Sequence, residues 1–193
     1  MVKWACFKTS WRGPRFVETG SRKKRVSGLF FQTTGTYCLT TNLPFYAGGL
    51  HFSCVRCSSC CRHESGYVFL SKKDVGRLAV ECQMRYTDFV ETWCRWVPAG
   101  GGVERLSLKE KSNFDCVFWK DGCSVYAARP LQCRTFPFWS SILVSSGSWK
   151  IARSGCPGMG RGRLFSPEEI ESLVRARKAE PVLERQNRGT GGL

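Results

Sequence analysis

The sequence predicts a small, loop-rich, metal-stabilised α+β domain with short helices and a few short strands. Its 193 residues suffice for one domain with a modest core, and 42% hydrophobic against 23% charged residues is a globular balance. Ten of its twelve cysteines fall from Cys54 to Cys156, eight of them in two groups. Between them, helical and alternating apolar patterns are brief and punctuated by glycine and proline.

Tyr67–Leu70 reads as extended, and Ser71 then offers a helix N-cap with Asp74 three residues on to complete a capping box. Val75, Leu78 and Ala79 supply that helix with an apolar stripe. A second helix is expected to start at Thr87 and run through Phe89, Val90, Trp93 and Cys94, until Pro98 and Gly100 to Gly102 break it. Val103–Leu108 and the stretch Trp149 to Ala152 are candidate strands. Ser166-Pro167-Glu168-Glu169 predicts a further helix: Ser166 caps, Pro167 suits the first position and Glu169 closes the box. Ile170, Leu173 and Val174 form its apolar side, and Arg175, Arg177 and Lys178 read as a solvated face. Phe136-Pro137-Phe138-Trp139 is the densest apolar run and is expected in the core.

The cysteines form two groups. Cys54, Cys57, Cys60 and Cys61 make a C-x2-C-x2-C-C run, in which each two-residue gap can turn the chain so that sulfurs face one centre with backbone N–H groups near them. Adjacent Cys60 and Cys61 cannot easily face the same way, so one of them is free to serve a second centre or to bridge. Cys116, Cys123, Cys133 and Cys156 follow at gaps of six, nine and twenty-two residues, each beside a turn residue or an aromatic. These eight are the expected metal ligands. Spacing and the lack of a convincing secretory segment favour metal over disulfides. Cys82 and Cys94 lie in apparently helical segments without a partner at ligand spacing and read as buried apolar residues, while Cys6 and Cys38 are isolated in the basic N-terminal stretch. His51 and His63 flank the first group. His63, Arg129 and Arg134 are expected to surround the sulfurs rather than bind metal, the arginines donating hydrogen bonds to thiolates or carbonyls or holding an anionic substrate.

Taken together, C-x2-C-x2-C-C, Cys116, Cys123 before Val125-Tyr126, the stretch Arg129-Pro130-x-x-Cys133-Arg134-x-Phe136-Pro137 and Cys156-Pro157-Gly158 resemble the YkgJ-type cysteine-cluster family over about residues 50–160. The resemblance implies zinc or iron chelation. Some relatives are linked to flagellin lysine N-methylation, which implies methyl transfer to a protein substrate as one activity.

Zinc and iron are evenly matched by the residues themselves. Eight thiolates can close two tetrahedral zinc sites, while Cys54, Cys57 and Cys60 match the first three positions of a bacterial ferredoxin run, with Cys156-Pro157 as the remote cysteine before proline. Cys61 follows where that pattern has a three-residue gap, so its ligand set does not transfer directly.

Several function classes lack support. No phosphate-binding glycine loop, H-E-x-x-H helix or G-x-S-x-G elbow is present, so no catalytic residue can be named and the enzyme question stays open. The formal charge of +15 would suit nucleic acid, but the excess is +7 in residues 1–50 and only +4 in each of 51–149 and 150–193, so a nucleic-acid role is not favoured. No run of about 20 uninterrupted apolar residues predicts a membrane span, and a cytoplasmic protein is expected. The expected organisation is a basic extension over 1–49, the cysteine-cluster domain over 50–160, a C-terminal helix over 161–186 and a disordered tail over 187–193.

Overall fold

In a computed structural model, which describes residues 43–186, helix α1 (Lys72–Glu81) starts as its local chemistry dictates. The Ser71 hydroxyl accepts from the Asp74 N–H at 3.1 Å, and the Asp74 carboxylate accepts from the Ser71 N–H at 3.0 Å. Val75, Leu78 and Ala79 are buried along one side. Helix α5 (Pro167–Ala179) has the same device at Ser166 and Glu169 with proline in its first turn, and it buries Ile170. Arg177, expected on a solvated face, is instead half-buried, unlike exposed Arg175 and Lys178.

Two expectations are corrected. Helix α2 (Tyr86–Trp93) stops one residue short of Cys94, which opens strand β2 (Cys94–Gly100). Strand β2 pairs antiparallel with β3 (Val103–Leu108), the strand the alternation predicted. Pro98 is tolerated because β2 is the edge of the sheet, and Gly100 to Gly102, all at positive φ, form the hairpin turn. On the other side of β3 lies β5 (Glu184–Gln186). The second correction concerns Trp149 to Ala152, which belongs to helix α4 (Ser146–Ser154) and not to a strand. Ser145 caps it, and buried Trp149 and Ala152 are three apart, on one helical face.

The remaining elements are β1 (Leu50–Phe52), α3 (Leu131–Thr135) and β4 (Met159–Phe165), with β1 and β4 forming a separate two-stranded antiparallel sheet. Among the described residues, five short helices and two small sheets make an α+β fold. Tyr67–Leu70 is largely non-repetitive, meeting β3 through a single bridge from Phe69 to Ser107.

The apolar side chains gather in two clusters. The first, under α1, α2 and the three-stranded sheet, includes Leu70, Leu78, Phe89 and Leu106; Cys94 is buried in it and Cys82 packs against it, so both serve as packing residues. The second joins Phe138, Trp149, Met159 and Ile170, with Phe138 stacked on Trp149 and against Phe165. Pro137 is fully buried beside it, as the apolar run predicted. Cys116 and Cys123 back onto the first cluster and Cys156 onto the second, which places the thiol-bearing loops at the seam.

Among the described residues no helix is long and apolar enough to cross a membrane. Cys6, Cys38, the extension up to residue 42 and the tail 187–193 lie outside the described residues.

Candidate metal centre

The C-x2-C-x2-C-C run is a curled loop. Each of its two-residue gaps contains one residue at positive φ, Arg56 at 53° and Ser58 at 64°, and the Cys61 N–H closes a turn on the Ser58 carbonyl at 2.8 Å. Both ends of the loop are pinned. At the start the Ser53 N–H donates to the Gly158 carbonyl at 3.1 Å, and at the end the Cys61 carbonyl accepts from the Cys116 N–H at 2.7 Å. The loop carrying Cys116 and Cys123 is itself tied by bridges from Glu110 to Cys116 and from Trp119 to Cys123.

Cys133 arrives on α3, which Pro130 starts and whose Leu131 N–H is held by the Asp74 carboxylate at 2.8 Å. Segments remote in sequence thereby bring Cys61, Cys116, Cys123 and Cys133 within electrostatic reach of Cys60, and Cys156 comes up to Cys57 and Cys60. Cys60 is common to both sets. Cys54 is exposed at the start of the loop, next to the Ser53–Gly158 hydrogen bond.

Three sulfurs have backbone donors aimed at them: the N–H of Phe118 at Cys116, of Val125 at Cys123, and of Gly158 and Met159 at Cys156. In each case a donor comes from two residues further on, which is the geometry of a thiolate knuckle. The expectation of N–H groups at sulfur concerns the two-residue gaps of the first run, whereas donors two residues on are found in the second cysteine group.

Protonation follows from this crowding. Burial, then repulsion from Cys60, Cys116 and Cys123, pushes the Cys133 thiol well up. Burial likewise raises Cys116, Cys123 and Cys156. Cys60 is the exception. The Cys61 thiol lies 3.7 Å from it, and the hydrogen bond between the two, with its own backbone N–H and the Arg129 charge, outweighs burial and lowers Cys60, while Cys61 is raised in return.

Arg129 is the cation of this site. Its guanidinium lies 3.6 Å from the Tyr126 ring centre, with Arg56 4.5 Å from the same ring, and its charge favours the thiolates of Cys60, Cys123 and Cys133. Arg134 points its Nε at the Arg129 carbonyl, 3.1 Å away, and faces Arg77, Asp74 and Glu180 rather than the sulfurs. His63 is exposed at φ 74°, and its backbone N–H serves Asp115; His51 sets Nδ1 2.8 Å from the Gly162 carbonyl.

Sequence reasoning missed Arg62 and Asp115. Arg62 lies 3.6 Å from the Trp119 ring centre with Nε 3.3 Å from the Asp115 carboxylate, which joins the two cysteine loops beside the Cys61–Cys116 hydrogen bond. Asn113, hydrogen-bonded to Asp115 through both its side-chain groups, was the only local signal, because Asn and Asp so spaced mark a turn.

The donor set suits a thiophilic cation. Among the described residues, however, no group of three or more His, Cys, Asp or Glu side chains is placed so that it could hold a metal ion. A bound cation would supply the attraction that mutually repelling thiolates lack, and would release their protons.

Two predictions arise here. Gly158→Ala would put a Cβ 2.2 Å from the Ser53 carbonyl oxygen, so the strap between the Cys54 and Cys156 loops must open. The expected cost is about 1–3 kcal/mol in urea unfolding, together with reduced retention of metal against a chelator. The second concerns Cys94, which burial raises from 9.0 to about 12. Between those values the folded chain keeps a proton that the unfolded chain sheds, so this contribution to stability is complete below pH 9 and declines by about 1.4 kcal/mol per pH unit above it. Cys94→Ala should therefore destabilise the metal-free chain at pH 8 and show a much smaller difference from the parent at pH 10.5.

No solved structure matches the chain. Residues 53–157, more than half of it, match the model of the CxxCxxCC family, described as a candidate zinc- or iron-chelating domain. That span contains all eight cysteines of the two groups, and the chain belongs to the CxxCxxCC family.

Proposed function

We propose that the chain binds zinc or iron through Cys54, Cys57, Cys60, Cys61, Cys116, Cys123, Cys133 and Cys156 in two neighbouring thiolate centres, one around Cys116, Cys123 and Cys133 and the other around Cys57 and Cys156. The observation carrying this reading is that backbone N–H donors two residues on face the sulfurs of Cys116, Cys123 and Cys156 at the seam where these loops meet. A buried cysteine that only fills space has no need of such a donor. Cys60 and Cys61 stand between the two groups, and Arg129 offsets the negative charge that accumulates when the thiols ionise.

Bound zinc would supply an inert crosslink between the two cores, whereas bound iron with sulfide would supply an electron-carrying centre. A second reading, an iron–sulfur protein acting as a redox carrier or modifying protein lysines, is favoured by one observation. Cys156, the cysteine followed by proline, lies within electrostatic reach of Cys57 and Cys60 of the C-x2-C-x2-C run.

Elemental analysis with acid-labile sulfide on anaerobically purified full chain tests both. Zinc without sulfide supports closed structural centres, and iron with matching sulfide supports the second reading. Much less than one metal per chain overturns the assignment.

A further inference from the structure

Along the chain the positive excess is dispersed, and the fold gathers part of it on one face. Strand β4 pairs with β1 in a broken register: His51 stands opposite Leu164 and Phe52 opposite Met159, so Gly160-Arg161-Gly162-Arg163 has no partner on β1 and loops out of the ladder. All four residues are exposed. Contacts fix this loop in place. A Cβ on Gly160 would stand 2.9 Å from the guanidinium carbon of Arg153, so that side chain, from the last turn of α4, lies directly on the loop backbone. A Cβ on Gly162 would collide with Ser53, and the Gly162 carbonyl lies 2.8 Å from His51 Nδ1. Lys150 stands three residues before Arg153 and shares its side of α4.

The cations so assembled lack counter-charges. Residues 43–63 and 144–167, which build this face, contain no Asp or Glu. On α5, which follows, Glu169 pairs with Arg163 at 3.0 Å, Glu168 accepts from the Ser166 hydroxyl and Glu171 from the Tyr46 hydroxyl. Among the described residues Lys150, Arg153 and Arg161 have neither an ion pair nor a side-chain hydrogen bond. The modest +4 of residues 150–193 conceals this face, because all five carboxylates there lie beyond residue 167. Residues 1–42 add eight Lys and Arg against Glu18 alone, and they join the described fold beside α4, where Phe45 lies 6.5 Å from the Trp149 ring centre.

Guanidinium forks match phosphate oxygens two at a time, and several unpaired cations on one face suit a polymer that carries one negative charge per unit. Docking on a bilayer adds a contiguous apolar face to such charge; the loop has none, and Ile151 is the one exposed aliphatic side chain of α4. We propose that Lys150, Arg153 and Arg161 bind the sugar–phosphate backbone of a nucleic acid, with α4 and the β4 loop as the docking face. None of the three is a candidate metal ligand, so the face serves alike with zinc or iron bound.

The test is fluorescence anisotropy of labelled single strands and duplexes of mixed sequence, each about 20 nucleotides long, titrated with the full chain carrying its metal as purified, between roughly 50 and 200 mM salt. Binding that weakens steeply with salt is expected for the single strand, the duplex or both. Lys150→Gln, Arg153→Gln and Arg161→Gln together should lower the slope of log K against log salt by about 2–3 and weaken binding by about tenfold or more at roughly 100 mM salt. Arg161→Gln alone should lower the slope by about 1. The charge-matched combination of Lys72→Gln, Arg175→Gln and Lys178→Gln, at exposed positions of α1 and α5, should leave slope and affinity near the parent's. Metal content and thermal unfolding equal to the parent's keep a loss of binding distinct from loss of the thiolate centres or of the fold. No binding to either oligonucleotide, an equal loss in the charge-matched variant, or unchanged binding in the triple variant overturns the proposal. Polyglutamate competing as well as the oligonucleotide at equal charge overturns it too, as do phosphatidylserine vesicles that bind the chain with the same dependence on the three cations.

Discussion

Serine at Cys60 is expected to strip more metal from the chain than serine at any other cysteine. Cys60 touches Cys61 at 3.7 Å and, among the described residues, is the thiol within electrostatic reach of Cys116, Cys123, Cys133 and Cys156 together. A zinc site held by four protein ligands gains about 10–16 kcal/mol from binding, so one thiolate accounts for roughly 3 kcal/mol, about a hundredfold in affinity. Cys133→Ser should show that loss at one centre, while Cys60→Ser should lower retention at both. Cys82→Ser and Cys94→Ala should keep the parent metal content, since those thiols pack against the first core. Chelator competition followed by elemental analysis checks all four variants. If Cys60→Ser retains as much metal as the parent, the assignment of Cys60 to the centres fails.

Acid should mimic the serine variants at all sites together. The thiols of Cys116, Cys123, Cys133 and Cys156 are raised by burial, so metal must displace protons they hold firmly, and apparent affinity falls as pH is lowered.

What could be read from the chain and what could not divide along the range of the interactions. Both capping boxes were legible because Ser71 with Asp74, and Ser166 with Glu169, act within one helical turn. The stretch Trp149 to Ala152 was misread because four residues of mixed apolarity fit either period; the helix is decided by Ser145 upstream and by Trp149 and Ala152 burying one face. Strand β2 was missed because Pro98 and the three glycines break a helix, and only pairing with β3 shows that they also suit an edge strand and a hairpin turn. The same limit governs the site. Spacing identified the C-x2-C-x2-C-C run, but the meeting of Cys61 with Cys116 and of Ser53 with Gly158 rests on hydrogen bonds spanning 55 and 105 positions. No local pattern reports those. Arg129 and Arg134, indistinguishable in sequence as basic residues flanking Cys133, separate only in three dimensions, one toward sulfur and the other toward Asp74.

Asp74→Ala is expected to be the most damaging single change that removes no sulfur. The carboxylate is 2% exposed and closes the α1 capping box, fixes α3 through the Leu131 N–H at 2.8 Å and neutralises Arg77. Its removal leaves the Leu131 and Ser71 N–H groups and a half-buried guanidinium without their acceptor. Each buried N–H left without an acceptor costs about 1–3 kcal/mol, while Arg77, its side chain 39% exposed, can rehydrate in part, and the sum is a large share of the roughly 5–15 kcal/mol by which a domain is typically stable. Asp74→Asn keeps one acceptor oxygen and the shape of the side chain, so it should lose less. The effect should also reach the metal centre. Helix α3 carries Cys133 two residues after Leu131, so when the anchor is lost Cys133 no longer arrives in a fixed position, and metal retention should fall even though Asp74 is no ligand. Urea unfolding at pH 7 paired with chelator competition measures the two consequences separately. A variant that unfolds earlier but holds its metal as tightly as the parent would show that α3 is positioned by the metal and not by Asp74.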